Sequence, residues 1–229
     1  MTNNLLEVQD LLIKSKDSVL VDAISFKLKE GSTLGIVGES GSGKSLTSLA
    51  IMGLLPKPLK ATGLINYKGK NILKFTESDF LKIRAKDVSM IFQEPMTALN
   101  PTLKCGKQVS EILLKHTDLT KKEAHDRVIE LFKEVDLPRP GTIFESYPHE
   151  ISGGQKQRVV ISMAIACKPD LLIADEPTTA LDATVQGSIL KLLKKLSIEY
   201  GMAMIFISHD LGVVKHVADK LLVMYRGRE

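Results

Sequence analysis

The 229 residues are 44% hydrophobic and 25% charged with a net charge of +4, which excludes a disordered or low-complexity chain and suits one large domain or two small ones. No apolar run reaches the roughly 18 residues of a membrane-crossing helix, and the N-terminus lacks a signal-peptide pattern. The charge is too small and dispersed to argue for nucleic acid, and Cys105 and Cys167, far apart in unlike contexts, read as reduced thiols rather than a disulfide or metal site.

Residues 5–31 read as two or three antiparallel strands. Ile24, Phe26 and Leu28 alternate with Ser25, Lys27 and Lys29, the period of a half-buried strand. Thr33–Val37 is a buried strand. It enters Gly38-Glu39-Ser40-Gly41-Ser42-Gly43-Lys44-Ser45, which fits G-x-x-x-x-G-K-[ST]. Glycines there let backbone N–H groups turn onto phosphate oxygens. Lys44 reaches the β- and γ-phosphates, and the Ser45 hydroxyl sits on Mg²⁺. A helix leaves the loop from Leu46 and Thr47 to Met52, so its N-terminus adds positive potential at the phosphates.

Pro56 and Pro58 break the pattern. Leu64–Tyr67 with Lys68-Gly69-Lys70 reads as a strand and tight turn, and Val88–Phe92 as a buried strand ending at Gln93. Helical patterns dominate 94–168. Val109, Ile112 and Leu113 share a face. Thr120–Glu123 is a capping box leading Ala124, Val128, Leu131 and Val135 on one stripe. Ser152-Gly153-Gly154-Gln155 opens a long helix through Ala166. It is itself a capping box, yet two first-turn glycines are costly unless backbone must approach something closely, and such an end is a second anion site.

Leu171–Ala174 ends at Asp175-Glu176, Gln186–Tyr200 is an amphipathic helix, and Met204–Ile207 ends at Ser208-His209. Apolar runs alternating with helices imply a parallel sheet with crossover helices, which binds ligands at the carboxyl ends of its strands. The phosphate loop, Gln93, Asp175-Glu176 and His209 all fall at such ends. In a phosphate-loop protein Asp175 would hold Mg²⁺ through water and Glu176 would polarise a water for attack; the competing reading is an acid pair capping a helix. Gln93 and His209 are weaker signals alone, since Gln93 fits ordinary loop polarity and Asp210 fits a helix cap.

Together these residues resemble an ABC-type ATPase, the nucleotide-binding subunit of a membrane transporter. The resemblance covers essentially the whole chain through six motifs in the family's order: the loop at 38–45, Gln93, the signature Ser152–Gln155, residues 171–176, Ala180-Leu181-Asp182 and His209. It implies an α/β fold: a P-loop NTPase core (1–93 and 169–229) with a mostly parallel sheet, an N-terminal antiparallel β subdomain and an inserted α-helical subdomain (94–168). Gln93–Pro101 and Tyr147–Glu150 resemble importers of dipeptides, oligopeptides and nickel or metal chelates; an exporter ATPase or a soluble non-transport ATPase is the alternative.

The resemblance also implies two ATPase subunits, paralogues or copies of one chain, closing on two ATP molecules. Gly38 to Thr47 would bind the nucleotide, with Lys44 on phosphate and Ser45, Gln93 and Asp175 on Mg²⁺. Glu176 is the general base and His209 contacts the γ-phosphate. Ser152, Gly153, Gly154 and Gln155 serve the partner's ATP, and Asp182 couples the two sites. Transmembrane permease subunits and an extracytoplasmic substrate-binding protein complete the assembly, placing the chain on the cytoplasmic face of the plasma membrane, without nucleic acid. The family's adenine-stacking aromatic has no counterpart in Leu11–Lys16, and Phe26 reads as core, so poor base selectivity is expected. The chain stops inside a strand–turn, Met224–Glu229, as a truncated piece would.

Overall fold

The computed structural model describes residues 4–93, 98–179 and 181–229. Residues 94–97 and Ala180, on which parts of the Gln93–Pro101 and Ala180–Asp182 readings fall, lie outside the described residues.

The N-terminal alternation becomes an antiparallel sheet in the order β2-β1-β4-β5: β1 (Asn4–Lys14), β2 (Val19–Lys29), β4 (Lys60–Tyr67) and β5 (Lys70–Asn71). Ile24, Phe26 and Leu28 are buried, while Ser25, Lys27 and Lys29 face water. The second sheet is wholly parallel, in the order β6-β7-β8-β3-β9: β3 (Thr33–Gly38), β6 (Val88–Ile91), β7 (Leu171–Asp175), β8 (Ala203–Ser208) and β9 (Lys220–Met224).

Every position of β7 and β8 is buried, so these strands read as unbroken apolar runs. Their side chains still alternate between two cores. Leu171, Ile173, Ile205 and Ile207 join Leu34 and Ile36 in the core shared with the antiparallel sheet. Leu172, Ala174, Met204 and Phe206 face the helices.

Those helices are α3 (Cys105–His116), α4 (Lys121–Glu134), α5 (Pro140–Glu145), α6 (Gly153–Ile165) and α7 (Ala183–Tyr200). The Thr120–Glu123 box forms in both directions: the Glu123 N–H donates to Thr120 Oγ1 at 3.3 Å, and the Thr120 N–H to Glu123 Oε2 at 2.8 Å. Ala124, Val128 and Leu131 are fully buried behind it. Arg127, Glu134 and Tyr200 form a hydrogen-bonded cluster that ties α4 to the end of α7. Both cysteines are free thiols, and burial pushes that of Cys105 up to about 11.

The sequence reading passed over α2 (Glu77–Ile83), which buries only Phe80 and is capped by Thr76 with Asp79. Its C-cap residue, Arg84, closes the helix that leaves the phosphate loop. Arg84 Nε donates to the Met52 carbonyl at 3.0 Å and Nη2 to the Gly53 carbonyl at 3.1 Å. Its guanidinium lies 4.9 Å from the Phe80 ring centroid and 2.5 Å from Glu77 Oε1. Arg84→Ala should therefore destabilise the chain by about 2–3 kcal/mol, because charge-assisted bonds to two helix-end carbonyls are lost together with packing on Phe80. Urea unfolding checks this: the midpoint should fall at unchanged slope.

Candidate functional site

The phosphate loop is built by close approach. Gly38 ends β3 opposite Met224 of β9, and a Cβ on Gly38 would stand 2.1 Å from the Met224 carbonyl oxygen. Gly43 takes φ 99° and stands as N-cap of α1 (Lys44–Ile51). No side chain caps that helix, so no capping group claims the first-turn N–H groups. Lys44, 5% exposed, folds its ammonium back over the loop, donating to the Gly38 and Glu39 carbonyls at 2.8 Å each. Thr47 gives its hydroxyl to the Gly43 carbonyl at 3.0 Å. Among the described residues, Ser42 Oγ is buried inside the loop without a hydrogen-bond partner. Free N–H groups, a fixed ammonium and an orphan hydroxyl form an anion cradle.

Asp175 ends β7, and its backbone lies level with Ile207 of β8. It is 3% exposed, and its Oδ1 is buried without a partner among the described residues. Burial pushes its carboxyl above the ordinary range; the Ser45 hydroxyl pulls it back, the Glu176 charge adds to the rise, and Lys44 opposes it. Glu176 adopts φ 48°, a left-handed conformation that a non-glycine residue takes only when its surroundings impose it. Its N–H donates to the Ile207 carbonyl at 3.0 Å. Its Oε2 accepts from Thr179 Oγ1 at 2.9 Å and lies 3.2 Å from His209 Nδ1, which donates when it carries the proton. His209 follows β8 and is 63% exposed, while Glu176 is 13% exposed.

The capping alternative for the acid pair fails. Helix α7 starts at Ala183, earlier than the Gln186 expected, because Asp182 caps it: Oδ1 accepts from the Val185 N–H at 2.9 Å. Asp210 does cap α8 (Leu211–Lys215), which leaves the His209 side chain unexplained by capping. Gln93 lies exposed two residues past β6.

Ser152 and Gln155 form the reciprocal capping box. The need for glycine at 154 is partly internal, since a Cβ there would lie 2.9 Å from Val185 Cγ1. No hydrogen bond among the described residues joins the signature turn to the phosphate loop. The structure thus brings Lys44, Asp175, Glu176 and His209 together within one chain, and no hydrogen bond among the described residues joins Ser152–Gln155 or Asp182 to those four side chains.

Three residues went unread in the sequence. Thr179 was hidden in a turn whose hydrogen bonding only the fold reveals. Gln157, fully buried, donates to the Pro177 carbonyl at 2.6 Å. Tyr225, 54% exposed, lines a groove of about 560 Å³ with Val19 and Asp22, on the turn whose Gly227 N–H donates to the Ser42 carbonyl at 3.1 Å.

The residues present fit a magnesium ion that arrives with phosphate. One buried carboxylate has an unpartnered oxygen, a serine hydroxyl stands beside it, and no group of three or more His, Cys, Asp or Glu forms a self-sufficient cage among the described residues. Mg²⁺ is held in this way, by one or two protein oxygens with phosphates and water completing its shell.

Comparison with known proteins agrees with this geometry. The family model "ABC transporter" matches residues 21–179. The oligopeptide transport ATP-binding protein OppD of Bacillus subtilis is 50% identical over 98% of the chain and 64% of its own length. The dipeptide transport ATP-binding protein DppD of the same organism is 51% identical over 91% of the chain and 63% of its own length. The chain therefore spans just under two thirds of these two relatives. Among solved structures, the dimeric post-hydrolysis ATP-binding cassette MJ0796, bound to ADP and Pi, superposes with a TM-score of 0.84 at 27% identity, covering 97% of this chain and 95% of that one. CbiO1 of Clostridium perfringens, part of the transporter complex cbiONQ, gives 0.86 at 28% identity over 99% and 86%. With phosphate loop, acid pair and strand-end histidine in place on this fold, the chain belongs to the ABC transporter family, as one of its ATP-binding cassettes.

Proposed function

We propose that this cassette hydrolyses ATP to power uptake of short peptides across a membrane, nickel or metal chelates being the other cargo class. The observation that carries the reading is the set Lys44, Asp175, Glu176 and His209 at neighbouring strand ends in a chain half identical to peptide-transport ATP-binding proteins. The importer-like wording around Gln93 and at Tyr147–Glu150 favours uptake over export.

Backbone N–H groups of Gly43 to Leu46 would bind the phosphates, those of Ser42 and Thr47 being held by the Glu39 and Gly43 carbonyls, and Lys44 adds a fixed positive charge. Ser45, Gln93 and Asp175 would hold Mg²⁺, which when bound neutralises charge on the β- and γ-phosphate oxygens. Glu176 accepts a proton from the attacking water as the water oxygen bonds to the γ-phosphorus and ADP leaves. Thr179 and His209 hold that carboxylate in place. His209, more than half exposed, is free to turn toward the γ-phosphate.

No hydrogen bond among the described residues joins the signature turn Ser152–Gln155 to the phosphate loop of its own chain, which supports pairing with a second cassette, a paralogue or a second copy; one solved relative is described as a dimer. Asp182 would stand at that junction. Helices from 94–168 would dock on permease subunits that receive cargo from an extracytoplasmic binding protein. No helix of the described residues is long and apolar enough to cross a membrane itself, in keeping with a peripheral position on the cytoplasmic face.

Uptake tests the reading. Cells lacking the gene, complemented with wild type or Glu176→Gln, are followed with labelled short peptides and with nickel. Loss of one tracer, rescued by wild type alone, is the expected result; no change in either tracer removes the importer reading.

A second expected outcome concerns the base. No aromatic occupies Leu11–Lys16, and a stacking face such as Tyr225 could not tell a 6-amino from a 6-oxo purine. GTP should support hydrolysis nearly as well as ATP. A preference for ATP above about a hundredfold in kcat/KM would require a hydrogen-bonding base pocket instead.

A further inference from the structure

Helix α6 carries the signature turn at one end and touches the segment that carries Glu176. Two contacts join α6 to α7, and a third reaches the residue after Glu176. Gly154 meets Val185 in the first turn of α7. Arg158 Nη2 donates to Ser188 Oγ at 3.2 Å, and Nη1 to the Val135 carbonyl at 2.6 Å. Between them, Gln157 Nε2 donates to the carbonyl of Pro177, the residue after Glu176, at 2.6 Å.

Gln157 is an expensive choice for a purely structural post. It is fully buried, and its Oε1 has no hydrogen-bond partner among the described residues. An apolar side chain of the same shape would remove that orphan while taking from the buried Pro177 carbonyl its side-chain donor. The one side-chain bond of Gln157 falls on the Pro177–Thr178 peptide, one peptide beyond the positive φ of Glu176, inside the turn that the Thr179 N–H closes on the Glu176 carbonyl at 3.2 Å, and that turn bears on where the carboxylate points. Gly153 and Gln157 are four residues apart, hence on one face of α6. A displacement of the signature turn along that face reaches Pro177 through one rigid turn of helix.

We infer that Gln157 is a positioning residue for Glu176: its carboxamide ties the signature helix to the turn that follows the general base and holds its backbone, so that engagement of the signature turn sets the base in the same chain. The inference rests on the proposed role of Glu176. It adds that the anion site offered to a partner and the chain's own hydrolytic site are linked by one side-chain hydrogen bond.

The test is a double-mutant cycle on the full-length protein, with Mg-ATP as probe. Gln157→Met fills the volume without a donor, and Gln157→Asn keeps an amide one methylene too short to reach Pro177. Each is measured alone and combined with Glu176→Gln. Expected are a melting temperature lower by no more than about 2–4 °C, unchanged affinity for a fluorescent ATP analogue and an unchanged KM, with kcat lower by about tenfold or more. In the Glu176→Gln background the same substitutions should have no further effect on single-turnover phosphate release, because the group they aim is gone. Wild-type kcat in Gln157→Met, or an equal loss in both backgrounds, overturns the coupling and leaves the base assignment standing. Full turnover in Glu176→Gln alone overturns the base assignment, and the coupling with it.

Discussion

Glu176→Gln should lower ATP turnover on the order of a thousandfold while leaving nucleotide affinity within a few fold of wild type, the range expected when a general base is removed and binding groups are kept. Geometry makes the substitution clean. The Glu176 carboxylate is fixed by two contacts on one oxygen, from Thr179 Oγ1 and His209 Nδ1, and a glutamine carbonyl oxygen can accept from both. The backbone at φ 48° is held by the N–H bond to Ile207 and by the turn that returns the Thr179 N–H to the Glu176 carbonyl at 3.2 Å. Neither depends on the side chain's charge. What changes is basicity and the charge felt by Asp175; a carboxamide does not accept the water proton, and loss of the charge eases ionisation of Asp175. Phosphate release under single turnover, beside retention of labelled ATP on a filter, separates the two quantities. Turnover within tenfold of wild type would remove Glu176 from the base role and leave substrate-assisted proton transfer to the γ-phosphate.

That site was legible in the sequence because its parts are local. The phosphate loop needs glycine where Gly38 abuts the Met224 carbonyl and where Gly43 turns to positive φ, so the requirement is written in residue type. Asp175 and Glu176 stand out because acids at the end of a wholly buried strand demand a partner. The parallel sheet was equally readable from unbroken apolar runs. What escaped was non-local. Strand order β6-β7-β8-β3-β9 is fixed by crossovers that leave no mark in any window, and the strand–turn expected at Met224–Glu229 meets β9 (Lys220–Met224) only at Met224. Helix α2 escaped because it buries a single side chain and has no periodicity to detect. Gln157 carries no motif within the long helix through Ala166, and only the fold brings Pro177, twenty residues later, against it. The start of α7 was misjudged by three residues, since Asp182 serves as its cap while also lying in a motif assigned to inter-site coupling. One residue holding a local and an assembled role is invisible to any reading that awards each position a single purpose.

Asp175→Asn should separate the cost of building the cation site from its use. An ionised carboxylate at 3% exposure, with one oxygen unpartnered, is a destabilising element in the nucleotide-free chain, and burial has already raised its pKa. Asparagine has the same shape without the charge. The nucleotide-free variant should therefore be more stable than wild type by about 1–2 kcal/mol, a rise in melting temperature of roughly 2–8 °C for a chain of this size. The Ser45 hydroxyl and Lys44 ammonium, which both favour the charged form, keep the gain from being larger. The second half of the expectation runs the other way. Mg²⁺ with a non-hydrolysable ATP analogue should raise the melting temperature of wild type and much less that of the variant, because ligand stabilisation follows affinity for the native state. Turnover should fall on the order of a hundredfold or more, the scale of losing several kcal/mol of charge neutralisation in the transition state. A differential scanning series, with and without Mg²⁺, checks both halves at once. Lower stability of the nucleotide-free variant would make Asp175 a structural ligand of the loop. An undiminished Mg²⁺ response would move the cation to other oxygens, with Ser45 and Gln93 the first to examine.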